Sequence, residues 1–135
     1  MICIDTNVAI AALNGRPAQV IDRLAEALTR GAVALPAPAL HELWYGAAKS
    51  TRIAENVDRI ERFLNAEIVV LPFDAEDARE AGFIRAHLKS LGIPIGNYDL
   101  LIAAQALRRG LTLVTANVGE FERVTGLIVV NWTPG

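Results

Sequence analysis

The stretch NYDLLIAAQALRRGLTLV, residues 97–114, contains one complete helix-to-strand unit. Leu100, Ala103, Ala104 and Leu107 recur at intervals of three and four, the period of a helix with one apolar face. Gly110 follows the last periodic residue, the place where helices end through a left-handed glycine. The period then vanishes, and 111–114 is a short, mainly apolar run that reads as a strand buried on both faces, as strands of parallel sheets are.

The same unit recurs in both directions from there. Apolar runs at 1–4, 32–35, 68–71 and 127–130 bring the candidate strands to five. Between them lie the helical sets Val20, Ile21, Leu24, Leu28; Ile53, Val57, Ile60, Leu64; and Ala81, Ile84, Leu88, Leu91. Asp74 stands where an N-cap belongs, with Glu76 and Asp77 in the first turn, and Gly92 closes that helix. Asn97 is the expected N-cap of the helix that carries Asp99. Buried strands alternating with amphipathic helices predict an α/β fold: a three-layer α/β/α sandwich with a five-stranded, mainly parallel sheet, in one domain spanning 1–135.

Composition narrows the function. With 53% hydrophobic and 21% charged residues the chain packs a core, which excludes disorder. A single cysteine, Cys3, makes no internal disulfide and reads as core packing, so a reducing cytoplasmic location is expected. No secretory or membrane-spanning segment is expected either. Thirteen Lys plus Arg against fifteen Asp plus Glu give a net charge of −2, so a nucleic-acid ligand would need a local source of positive charge.

The carboxylates suggest that source. In an open parallel sheet, ligands bind beyond the carboxyl ends of the strands, where strand order reverses. Asp5 ends the first run, Glu42 follows the second, Asp99 starts the helix before the fourth, and Thr115, Asn117 and Glu120 follow the fourth. Acids brought together without Lys or Arg repel one another and call for a bound cation, and all-oxygen ligands suit Mg²⁺ or Mn²⁺. Such ions support phosphodiester hydrolysis without a protein nucleophile. Taken one at a time, each acid is better explained as a cap or a solvated side chain, and only the convergence of several points to a metal site.

Four ordered motifs, MICIDTN at 1–7, LHELWYGA at 40–47, IGNYDLLIAA at 95–104 and VTANVGEFERV at 114–124, together with the closing IVVNW at 128–132, resemble the PIN-domain ribonucleases. The likeness is greatest to VapC-type toxins of bacterial toxin–antitoxin pairs, with FitB-type proteins next, and runs from Met1 to Trp132. It implies a divalent-metal site that cuts RNA, with Asp5, Glu42 and Asp99 as the first three acids. Many members carry Asp where this chain has Asn117, so Asn117 or Glu120 is expected to complete the metal shell, with the Thr115 hydroxyl nearby. The resemblance further implies a cognate antitoxin whose tail fills a groove over the site, and pairing of two copies near Trp44 and Ile53.

Other residues have plainer readings. His41 adjoins Glu42, but neighbours on a helix point about 100° apart, so it is not expected to act as general base. Trp44 and Tyr45 read as core or interface, His87 as solvated, and Gly96 as permitting a tight start to its helix. Lys49, Arg52, Arg85, Lys89, Arg108 and Arg109 are the candidates for phosphate contact. The competing functions are a phosphate-accepting signalling domain, which would need a second acid beside Asp5, and a non-catalytic α/β binding module.

Overall fold

The computed structural model describes residues 1–133; residues 134 and 135 of the expected domain lie outside the described residues. Its elements run β1 (Ile2–Ile4), α1 (Thr6–Asn14), α2 (Ala18–Arg30), β2 (Val33–Pro36), α3 (Ala37–Ala48), α4 (Ile53–Leu64), β3 (Ile68–Leu71), α5 (Ala75–Ser90), α6 (Asn97–Arg108), β4 (Thr112–Val114), α7 (Val118–Phe121) and β5 (Val129–Val130). The five strands form one sheet in the order β3-β2-β1-β4-β5, and every pairing is parallel. Helices flank this sheet in the α/β/α arrangement expected from the alternation of runs and periods.

Burial follows position in the sheet. The inner strands β1, β2 and β4 are almost entirely buried, whereas the edge strands β3 and β5 are partly exposed. Ile4, Leu35, Leu113, Ile102, Leu88 and Phe121 anchor the core. Cys3 is fully buried among them; burial first, and the nearby Asp5 charge second, push its thiol up to about 12, so it remains a protonated packing group.

Asp74 caps α5 in a reciprocal capping box with Asp77, and Gly92 and Gly110 adopt the left-handed conformation beyond α5 and α6. Two expectations need correction. The N-cap of α6 is Gly96, with Asn97 the first helical residue, and Gly96 has φ −58°, a value open to any residue. Its backbone amide, discussed below, is what matters there. Helix α1 was not anticipated from periodicity because its alanine-rich sequence, TNVAIAALN, offers no clean apolar stripe; Asp5 starts it by accepting a hydrogen bond from the Val8 amide.

Candidate active site

The chain lays β2 and β3 to one side of β1, then crosses to place β4 and β5 on the other, so strand order reverses between β1 and β4. Ile4 lies in register with Val114, and the residues that follow, Asp5 and Thr115, therefore emerge side by side at the carboxyl ends of adjacent strands. The Asp5 amide donates to the Val114 carbonyl at 3.2 Å. The Thr115 hydroxyl donates to Asp5 Oδ2 at 2.5 Å and itself accepts from the Asn117 amide at 2.9 Å. Asp5 Oδ1 accepts from Val8 N at 2.9 Å.

Asp5 is only 3% exposed. Burial raises its pKa, the Thr115 and Val8 hydrogen bonds oppose the rise, and the Glu42 charge adds to it. Glu42, on α3, is held by the Thr6 hydroxyl at 2.9 Å. Asp99, in the first turn of α6, is pushed up to about 6 by burial and then by Glu120, Asp5 and Glu42. Asp99 thus lies within the electrostatic reach of the other three acids.

Glu120 is the exception in sign. The Gly96 amide donates to its Oε1 at 2.5 Å and Asn117 Nδ2 donates to its Oε2, which together hold its pKa down. A side chain built on Gly96 would place its Cβ 3.6 Å from both Asp99 Oδ2 and Glu120 Oε1, so these two carboxylates converge on one spot beside the loop. Asn117 acts in this structure by holding Glu120.

Among the described residues no three of His, Cys, Asp and Glu stand close enough together to enclose one ion. The donor chemistry nevertheless fits Mg²⁺ or Mn²⁺. Mg²⁺ keeps most of its water and is typically held by one or two carboxylates plus substrate phosphate, which is what the Asp99–Glu120 pair with buried Asp5 offers.

Of the basic residues singled out as phosphate contacts, Arg108 and Arg109 are already engaged. Asp77, 0% exposed, accepts from Arg108 Nε at 2.8 Å and from both terminal nitrogens of Arg109 at 2.8 and 3.1 Å. Asp74 takes the remaining reach of Arg108 at 2.7 Å, and Gln105 Nε2 joins Asp77 to the end of β3 through the Leu71 and Pro72 carbonyls. This network ties α5 to the last turn of α6, about 15 Å along the helix from Asp99. Arg52 pairs with Glu55, Lys49 lies over the Tyr45 ring, and Arg85 and Lys89 are exposed on α5.

Periodicity and motif reading passed over Thr6 and Arg123. Thr6 follows Asp5 directly, so recognising Asp5 as a helix cap would have placed it in the first turn. Arg123 lies three residues after Glu120, donates to the Pro94 carbonyl at 2.9 Å, and helps to lower the Glu120 pKa. Trp44 is half-buried against the core, as read from sequence, whereas Tyr45 is 59% exposed. A groove of about 240 Å³ opens between α1, α3 and α4, bounded by Ile10, Leu13, Leu43 and Ile60 and reaching Glu42.

The chain is similar to known proteins along nearly its whole length. A family model of the PIN domain matches residues 2–127. The tRNA(fMet)-specific endonuclease VapC of Shigella flexneri is 42% identical to this chain over 130 residues, 96% of each protein. A chain in the crystal structure of VapBC2 from Rickettsia felis, bound to a DNA fragment from its promoter, superposes with a TM-score of 0.91 at 34% identity, covering 98% of this chain and 100% of that one. FitAcB from Neisseria gonorrhoeae gives a TM-score of 0.79 at 30% identity over 97% of each.

Proposed function

The chain belongs to the PIN-domain family, and from that premise we propose that it is the endoribonuclease toxin of a toxin–antitoxin pair, hydrolysing RNA with Mg²⁺ or Mn²⁺ drawn into the crevice of Asp5, Glu42, Asp99 and Glu120, one or two of which bind it directly. The observation that carries the reading is the acidic crevice at the β1–β4 switch point, where Asp99 is pushed up to about 6 by burial and by the other three acids. Mutual repulsion of that kind is relieved by a cation. When bound, Mg²⁺ or Mn²⁺ supplies Lewis-acid polarisation of the phosphodiester and a source of hydroxide at neutral pH.

The remaining work belongs to the chain. Thr115 and the Val8 amide fix both oxygens of Asp5, Thr6 fixes Glu42, and the Gly96 amide with Asn117 fixes Glu120. Asp5, Glu42 and Glu120 are therefore oriented by hydrogen bonds from neutral donors, which leave their charge available to a cation. Because the Shigella flexneri relative is named for tRNA(fMet), tRNA is the first substrate to test.

The partner reading rests on the complexes that the structural relatives form and on the apolar groove that reaches Glu42. An antitoxin tail lying in that groove would block access to the acids. The exposed Tyr45 and Ile53 supply an apolar surface for pairing two copies. The free, buried Cys3 suits a reducing cytoplasmic location, and no helix among the described residues is long and apolar enough to cross a membrane.

The test is cleavage of tRNA by purified, partner-free protein. Cutting should require Mn²⁺ or Mg²⁺, stop with EDTA, and be lost in Asp5→Asn, in which the α1 cap survives because Asn also caps helices. Cleavage that persists in excess EDTA, or in a folded Asp5→Asn protein, would refute it.

A further inference from the structure

His41 and Tyr98 stand immediately before Glu42 on α3 and Asp99 on α6, and their rings meet across the two helices with centroids 5.3 Å apart and planes inclined by 34°. The pair therefore bridges α3 and α6, the two helices that carry Glu42 and Asp99. Both side chains are exposed, Tyr98 by 46%, and neither forms a hydrogen bond among the described residues. Tyr45, the other exposed aromatic of α3, differs in that its ring already carries the Lys49 ammonium at 4.8 Å.

Charge gives this pair significance. Arg108 and Arg109 are engaged by Asp74 and Asp77, Arg52 by Glu55, and the crevice itself is acidic. Arg123 is the cation that acts on Glu120, and it is tethered to Pro94. With those arginines engaged, contacts that carry no charge add to what the cation and the remaining exposed basic side chains, Lys49, Arg85 and Lys89, contribute to holding a strand of RNA. Stacking of bases on aromatic rings is the contact of that kind that single strands use.

The geometry points to a nucleobase-binding wall formed by His41 and Tyr98 at the mouth of the acidic crevice, on which the base of the nucleotide next to the scissile phosphate stacks. This inference rests on the ribonuclease reading and adds to it the recognition of an unstacked base. With the phosphate at the carboxylates, the attached base lies one sugar away, where the residues preceding Glu42 and Asp99 lie. Such a wall selects single-stranded or looped RNA over continuous duplex, because a paired base cannot leave its stack to reach the rings without an energetic cost.

The experiment uses a short single-stranded RNA containing its mapped cleavage site, with copies bearing one abasic ribose at either flanking nucleotide. Tyr98→Ala and His41→Ala should each raise KM for the intact strand about tenfold with kcat changed by no more than about twofold, and Tyr98→Phe should keep the wild-type KM because the ring does the stacking. In the wild-type protein, one abasic strand should show the same rise in KM, and Tyr98→Ala should add nothing further on that strand. Wild-type KM in Tyr98→Ala, or additive losses on both abasic strands, would overturn the proposal. Fluorescence anisotropy with Asp5→Asn protein separates this from the ribonuclease reading. If the wild-type protein cuts no RNA, the ribonuclease reading fails, while equal dissociation constants for the intact and both abasic strands would overturn the stacking wall.

Discussion

Replacing Asp99 with Asn should make the EDTA-treated protein more stable at neutral pH. The pKa of Asp99 rises from 3.8 to about 6, through burial and then through Glu120, Asp5 and Glu42. At about 1.4 kcal/mol per tenfold change in proton affinity, the rise corresponds to about 3 kcal/mol of penalty on the ionised form. Asp99 is only half-buried, so solvent screening reduces this to about 1–2 kcal/mol. In sign, a carboxyl with a raised folded-state pKa destabilises the fold progressively as pH climbs from about 4, where the unfolded chain ionises, through about 6. Asn keeps the shape, carries no charge, and offers an amide donor towards Glu120.

In EDTA at pH 7.5 the Asp99→Asn protein should therefore melt about 3–8 °C above wild type, from a sensitivity of about 3–4 °C per kcal/mol at this chain length. The gap should close below about pH 4. Saturating Mn²⁺ should reverse the order, since wild type gains about 2.7 kcal/mol at one hundred times its dissociation constant and the variant gains less. Differential scanning calorimetry at pH 4 and 7.5, with EDTA and with Mn²⁺, measures all three. A variant that melts at or below wild type in EDTA at pH 7.5, or a gap that persists unchanged to pH 4, would refute the view of the crevice as a strained acidic site awaiting a cation.

Asp77→Ala removes a fully buried carboxylate and leaves Arg108, Arg109 and Gln105 without their shared acceptor; because both arginines retain some contact with water, the loss should be about 3 kcal/mol, read by urea denaturation. Burial works against ionised Asp77, but Arg109, the Asp74 amide and Arg108 together hold its pKa well below the usual carboxylate range. The difference from wild type should therefore be constant above about pH 5 and shrink as pH falls below about 4. Glu120→Gln turns an amide donor towards Asn117 Nδ2, or the same donor towards the Gly96 amide, so one of the two contacts that hold this side chain is lost with the charge. The Mn²⁺ concentration needed for half-maximal tRNA cleavage should rise about tenfold, and added Mn²⁺ should restore part of the rate; a wild-type titration curve would reduce Glu120 to a solvated acid.

The parallel sheet was legible because its signals are local. Strands at 68–71 and 111–114 are recognised from a few consecutive apolar residues, α5 from its Asp74 capping box, and α6 from its stripe and Gly110. The acids were singled out from sequence because Asp5, Asp99 and Glu120 fall just beyond a strand or at a helix start and Glu42 within two turns of one; the structure adds that Asp99 feels the charge of the other three.

What only the tertiary structure decided is which partner each side chain takes. Thr115 reaches Asp5 across 110 residues of sequence, and it does so because β1 and β4 are neighbours, a fact set by the crossover in strand order. Arg108 and Arg109 looked like free cations until the packing of α5 on α6 brought Asp77 between them. His41 and Tyr98 meet only because α3 and α6 lie against each other. Residue type and spacing act over a turn or two of chain and so determine elements, caps and chemistry. Hydrogen-bond partners, the removal of charges into ion pairs, and the shift of Asp99 to about 6 arise from the burial of elements distant in sequence, where the same residues would behave differently in any other packing.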